Sequence, residues 1–145
     1  MPERRLEEEL GQWSDPAPFG ILVPDVQIEG MNFGFAPKAA GNMVAITGFA
    51  ENNFEGAVYI FETEDQGLTW SQAQRIAASA GTHGSAYGVA LDIHEDLLFV
   101  GRNEFNFGLP GPGRVYVFRR DGGLWEEVSI LHAEEGQTQV GAFFG

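Results

Sequence analysis

The 145-residue chain contains no cysteine, which removes disulfide frameworks, thiolate metal sites and cysteine nucleophiles together but says little about compartment. Basic residues are scarce. Lys and Arg total 8 against 21 Asp and Glu, a formal net charge of −13, so the counterion release that draws proteins to polyanions has no basis here. Nucleic acid is not an expected partner. No apolar run approaches the ~20 residues of a membrane-spanning helix, and the stretch from Met1 to Leu10, rich in Glu and Arg, lacks the apolar centre of a signal peptide. Membrane insertion is not expected either.

What is plentiful is glycine, at 20, and phenylalanine, at 12, distributed among short segments of Val, Ile, Tyr and Phe. Frequent turns around aromatic packing indicate an all-β chain. The segments also repeat. Gly56-Ala-Val-Tyr-Ile-Phe61 returns 57 residues later as Gly113-Arg-Val-Tyr-Val-Phe118, and Trp13, Trp70 and Trp125 fall in step with it. Phe33-Gly34, Tyr87-Gly88 and Phe144-Gly145 open successive units, and Val44–Gly48 and Leu97–Gly101 follow the first two.

One unit reads as four short strands, for instance Tyr87–Leu91, Leu97–Gly101, Arg114–Arg119 and Trp125–Leu131, joined by turns rich in Gly, Asp and Pro. In the third strand both alternating sets are apolar, Val58 with Ile60 and Tyr59 with Phe61, so both faces of the sheet must be covered. Sheets stacked face to face supply that cover, as in the blades of a β-propeller. The expected organisation is an N-terminal segment (1–32) holding the last strand of a preceding blade, blades at 33–86 and 87–143, and the start of another at 144–145. Such a chain is expected to be a piece of a longer protein, or one protomer of a propeller completed between chains.

The ordered recurrence of Phe33/Tyr87, Gly34/Gly88, Gly56/Gly113, Tyr59/Tyr116, Phe61/Phe118 and Trp70/Trp125, with Phe144 and Gly145 beginning again, resembles the FG-GAP repeat of integrin α-chain propellers and many bacterial surface proteins. The Gly-Ala-Pro element of that family is replaced by Gly48-Phe-Ala50 and Gly101-Arg-Asn103. The resemblance implies a non-catalytic scaffold for adhesion or protein–protein contact, located outside the cell or in the cell envelope. It also implies Ca²⁺ in the loop between first and second strands. Lys38–Asn42 cannot cage calcium, and Asp92–Asp96 has three carboxylates but no central glycine and an intruding His94. The chain is therefore similar to the calcium-free variety, and no cofactor is expected.

A different signature occupies the hairpin Thr63-Glu-Asp65-Gln-Gly67-Leu-Thr69-Trp70, which is similar to the Asp-box of sialidase-like propellers; it opens a second reading, a carbohydrate-binding propeller of the sialidase or lectin kind. Catalysis is not expected. His83, His94 and His132 have no metal-ligand spacing, Ser85 lies outside any Gly-x-Ser-x-Gly elbow, and Arg75, Arg102 and Arg114 occupy unrelated repeat positions. The loops after the second strands are the candidate binding face: Asn52, Asn53 and Phe54 in one repeat, and Arg102, Asn103, Glu104 and Phe105 in the other. Expected partners are a protein, a further copy completing the propeller, or a glycan.

Overall fold

A computed structural model describes residues 20–79, 86–103, 105–106, 109–110 and 113–132. These residues are all-β and form two four-stranded antiparallel sheets, each a plain meander. The first contains β1 (Phe33–Ala40), β2 (Met43–Gly48), β3 (Ala57–Glu62) and β4 (Ser71–Ala77) in that order. The second contains β5 (Tyr87–His94), β6 (Leu97–Arg102), β9 (Arg114–Asp121) and β10 (Leu124–His132), again in chain order, with a small hairpin of β7 (Phe105–Asn106) and β8 (Leu109–Pro110) inserted after β6. A helical turn, α1 (Glu51–Phe54), occupies the corresponding loop of the first sheet.

Strand register relates the sheets residue by residue. Phe33 faces Gly48 and Ala57 faces Gly48 from the other side; Tyr87 and Arg114 face Arg102 in the same way. Arg102 is thus the counterpart of Gly48, one position beyond the Gly101 that the sequence aligns with it. Sidedness explains the shift, since a one-residue slip would reverse every side chain in the strand. With it, Val44 and Ile46 share a face with Tyr59 and Phe61, while Leu98 and Val100 share one with Tyr116 and Phe118. Even the irregularities recur. β4 skips Ala73 between the partners of Ile60 and Phe61, and β10 skips Val128 between the partners of Val117 and Phe118.

The sheets stack head to tail. Ala45, Val58, Ile60 and Ile76 on one face of the first sheet form a single core with Leu98, Val100, Tyr116, Phe118 and Trp125 of the second. The faces in contact therefore differ, as in an arrangement that can be continued, rather than being the same face twice. The opposite face of the first sheet, with Ile46, Tyr59 and Phe61, is covered by Leu22 and Met31 from the irregular segment before β1. All of Ala57 to Phe61 is buried, as a third strand apolar on both sides requires. Each large side chain so removed from water contributes roughly 1.5–3 kcal/mol.

Polar contacts fix the stack. Gln74 receives the Trp125 N–H at 2.8 Å and donates to the Trp125 carbonyl at 2.9 Å, reproducing a strand pairing between sheets. Thr47 donates its hydroxyl to the Gly88 carbonyl at 2.8 Å. That approach needs glycine: Gly88 has φ +90°, and a Cβ there would lie 2.5 Å from the Thr47 methyl. Lys38 and Asp92, which hold the same register position in β1 and β5, pair at 2.8 Å, and Arg120 pairs with Glu62.

Candidate functional site

The loops after β2 and β6 emerge at the same end of the two sheets, as their places in the meanders dictate. The first is built around a buried carboxylate. Glu51, only 2% exposed, accepts hydrogen bonds from the Tyr59 hydroxyl on one oxygen and from the Arg75 guanidinium on the other. Burial and the Glu51 hydrogen bond raise the Tyr59 pKa above its ordinary value. Burial alone would weaken the Arg75 charge, but Glu51 and Tyr59 outweigh it and the Arg75 pKa is raised. With both carboxylate oxygens engaged and Tyr59 itself buried, this trio is an anchor for the loop and presents no accessible nucleophile.

From that anchor the chain makes a left-handed turn. Asn52, Asn53 and Phe54 have φ of 52°, 59° and 65° in succession. For residues with a Cβ this costs on the order of 1–2 kcal/mol each, and Asn tolerates it best. The turn is held at its exit, where the Ala86 N–H donates to the Phe54 carbonyl at 2.8 Å and the Tyr87 N–H donates to the Glu55 carbonyl at 3.2 Å. It displays Asn52 and Asn53 to solvent beside a fan of three rings: Phe35 lies 4.4 Å from Phe49, and Phe49 lies 5.9 Å from Phe54. Phe35 and Phe54 are exposed by 55% and 40%. Phe35 escapes a reading of the loop alone, because it arrives from β1 across the sheet end.

The second loop is different in kind. Arg102, expected on the binding face, is 1% exposed and donates from Nη1 to the Tyr116 hydroxyl at 2.8 Å. It serves the tyrosine that corresponds to Tyr59, so a cation replaces the Glu51 carboxylate as the partner of that hydroxyl. Asn103 is half-buried, Phe105 begins β7, and Glu104 lies outside the described residues, as do Phe144 and Gly145. Of the sequence-derived set, Asn52, Asn53 and Phe54 come together at the surface and Arg102 does not join them.

The remaining repeat residues are structural. Phe33 meets Tyr59 edge-on at 5.6 Å and Tyr87 meets Tyr116 edge-on at 5.2 Å, the same ring pair at the same place in each sheet. Gly56 allows the chain to pass close to the Tyr87 carbonyl, Gly113 precedes β9, and Phe61, Phe118 and Trp125 are core residues. At the opposite end the Asp65 side chain accepts from the Thr69 N–H at 2.8 Å and the Thr69 hydroxyl at 2.6 Å, and Thr63 receives the Gly67 N–H at 2.8 Å. The Trp70 indole donates to the Gly67 carbonyl at 3.1 Å and packs beneath the turn. The two bonds from Thr69, with a third donated by the Thr63 hydroxyl at 2.8 Å, lower the Asp65 pKa to about 2.

Asp92, a possible calcium ligand by sequence, is instead paired with Lys38, which lowers its pKa. No group of three or more His, Asp or Glu side chains is placed to hold a metal among the described residues, and none of their helices is long and apolar enough to cross a membrane. No family model, curated protein or solved structure matches the chain.

Proposed function

We propose that the chain is a run of β-propeller blades of the FG-GAP type and acts as a non-catalytic scaffold for adhesion or protein–protein contact. The observation that carries this reading is the head-to-tail stacking of two sheets with the same strand order, register, bulge and tyrosine ring pair. Blades of a propeller need such unlike faces, because each must cover the next. The ligand face of the scaffold is the left-handed turn with Asn52, Asn53, Phe54, Phe35 and Phe49, where rigid exposed rings adjoin amides. A placement outside the cell or in its envelope follows from the resemblance.

A second reading, a carbohydrate-binding propeller, is favoured by the Asp65 turn, whose hydrogen bonds have the form expected of an Asp-box. Against sialidase chemistry stands the Glu51–Tyr59–Arg75 trio, in which the carboxylate and the phenol are both buried and bonded to each other. A panel of glycans and extracellular-matrix proteins, combined with a sialoside hydrolysis assay, separates the readings. The scaffold predicts protein binding that falls at least about tenfold on Phe54→Ala, with no turnover. Hydrolysis lost on Arg75→Ala would overturn it, and glycan binding without turnover would favour the lectin.

A further inference from the structure

The hairpin between β9 and β10 turns on Gly122 and Gly123, whose φ of +58° and +93° are those of the tight loop that suits the strand twist. Asp121 and Leu124 form its closing pair, and both side chains are exposed. Asp121-Gly122 is the one place in the chain where glycine follows an aspartate, and no asparagine precedes a glycine. Glycine sets no side chain beside its amide nitrogen, so that nitrogen can reach the carboxyl carbon of the residue before it. The other aspartates lack this freedom. Asp25, Asp65, Asp92 and Asp96 are followed by Val, Gln, Ile and Leu, whose side chains obstruct the approach, and Asp15 by a proline, which has no N–H to give up. Two of them are also tied down, Asp65 by Thr63 and Thr69 and Asp92 by Lys38.

The loop leaves the reaction room. Attack requires Asp121 to rotate out of the extended strand conformation, and so requires the last rung of the hairpin to open. A Cβ at Gly122 or Gly123 would meet nothing within 4 Å, so the tip moves without collision, and opening the Asp121–Leu124 pair uncovers no buried residue. In a two-residue hairpin loop the first N–H makes no ladder bond, which leaves the Gly122 nitrogen unrestrained.

We propose that Asp121 is a site of spontaneous isomerisation to isoaspartate. The Gly122 nitrogen attacks Asp121 Cγ, the amide proton and the carboxyl hydroxyl leave together as water, and a five-membered succinimide forms. Water then opens the ring. Opening at Cγ restores aspartate, whereas opening at the main-chain carbonyl routes the chain through Cγ and lengthens it by one carbon; nothing is oxidised or reduced. The effect reaches the contact between the sheets, because the next rung, Arg120 with Trp125, carries two of its polar links. Arg120 pairs with Glu62, and Gln74 bonds both the N–H and the carbonyl of Trp125. A carbon added at 121 displaces that rung and loosens the stack.

Prolonged incubation of the full chain at neutral pH tests this. Cleavage after glutamate releases Phe105–Glu126, which is expected to divide into two species of identical mass, the new one assigned as isoaspartate at 121 by electron-driven fragmentation. Its yield should exceed that at all other aspartates together. Asp121→Glu, whose ring would have six members, should give none, and Gly122→Ala should slow the reaction; circular dichroism checks that both variants fold. The isomerised fraction should unfold at lower urea than fresh protein, while Asp121→Glu incubated alongside should keep its midpoint. Absence of the isomer at 121, equal isomerisation at another aspartate, or an unchanged urea midpoint for the isomerised fraction would overturn the proposal.

Discussion

Gly88 and Gly34 provide an internal control for what holds the sheets together. They occupy equivalent positions and have nearly equal φ, +90° and +94°, yet among the described residues only Gly88 has a neighbour in the way. Alanine at either site adopts a left-handed backbone at a cost of roughly 1–2 kcal/mol. At Gly88 its Cβ would also lie 2.5 Å from the Thr47 methyl and 3.0 Å from the Thr47 hydroxyl oxygen, and the strand must retreat. Overpacking of this kind adds about 1–3 kcal/mol, and the retreat stretches the Thr47 hydrogen bond to the Gly88 carbonyl. Gly88→Ala should therefore cost roughly 2–5 kcal/mol and Gly34→Ala about 1–2. Urea unfolding, followed by Trp fluorescence, measures both. For a small domain with an m-value of ~1–3 kcal/mol/M, the difference is on the order of a molar shift in midpoint at unchanged m. Thr47→Ser removes the clashing methyl and keeps the hydroxyl, and should restore part of the loss at Gly88 while doing nothing for Gly34→Ala. Equal costs at the two glycines, or no rescue by Thr47→Ser, would refute this account of the contact between the sheets.

Two further outcomes follow from the polar sites. Asp65 has a folded pKa lowered from the ordinary 3.8 to about 2, so its turn contributes stability that is complete above about pH 4 and is lost as the pH falls toward 2. Trp70 fluorescence should report that loss, and Asp65→Asn should remove its pH dependence across the window; an unchanged acid profile would contradict the role given to the carboxylate. Glu51→Ala strips partners from the buried Tyr59 hydroxyl and from Arg75. Breaking a fully buried pair costs about 3–5 kcal/mol, and the partial exposure of Arg75 lowers the expectation here to roughly 2–4. Thermal denaturation should show Glu51→Gln, which keeps an acceptor, losing less than half as much.

The parts of this fold that could be read in the sequence are those set by period and composition. A third strand apolar at every position, Ala57 to Phe61, has no stable place except between two covered faces, and it is buried throughout. The Thr63–Trp70 hairpin was legible because its spacing alone determines which side chains reach which amides. What escaped depends on which way a strand faces. Gly101 invites alignment with Gly48, and only the pairing partners show that Arg102 takes that position and is drawn inward to the Tyr116 hydroxyl. The Glu51–Tyr59–Arg75 anchor joins three separate segments through a left-handed turn that Asn-Asn-Phe does not announce. Leu22 and Met31 as cover for the first sheet likewise follow from a packing path that no local pattern encodes.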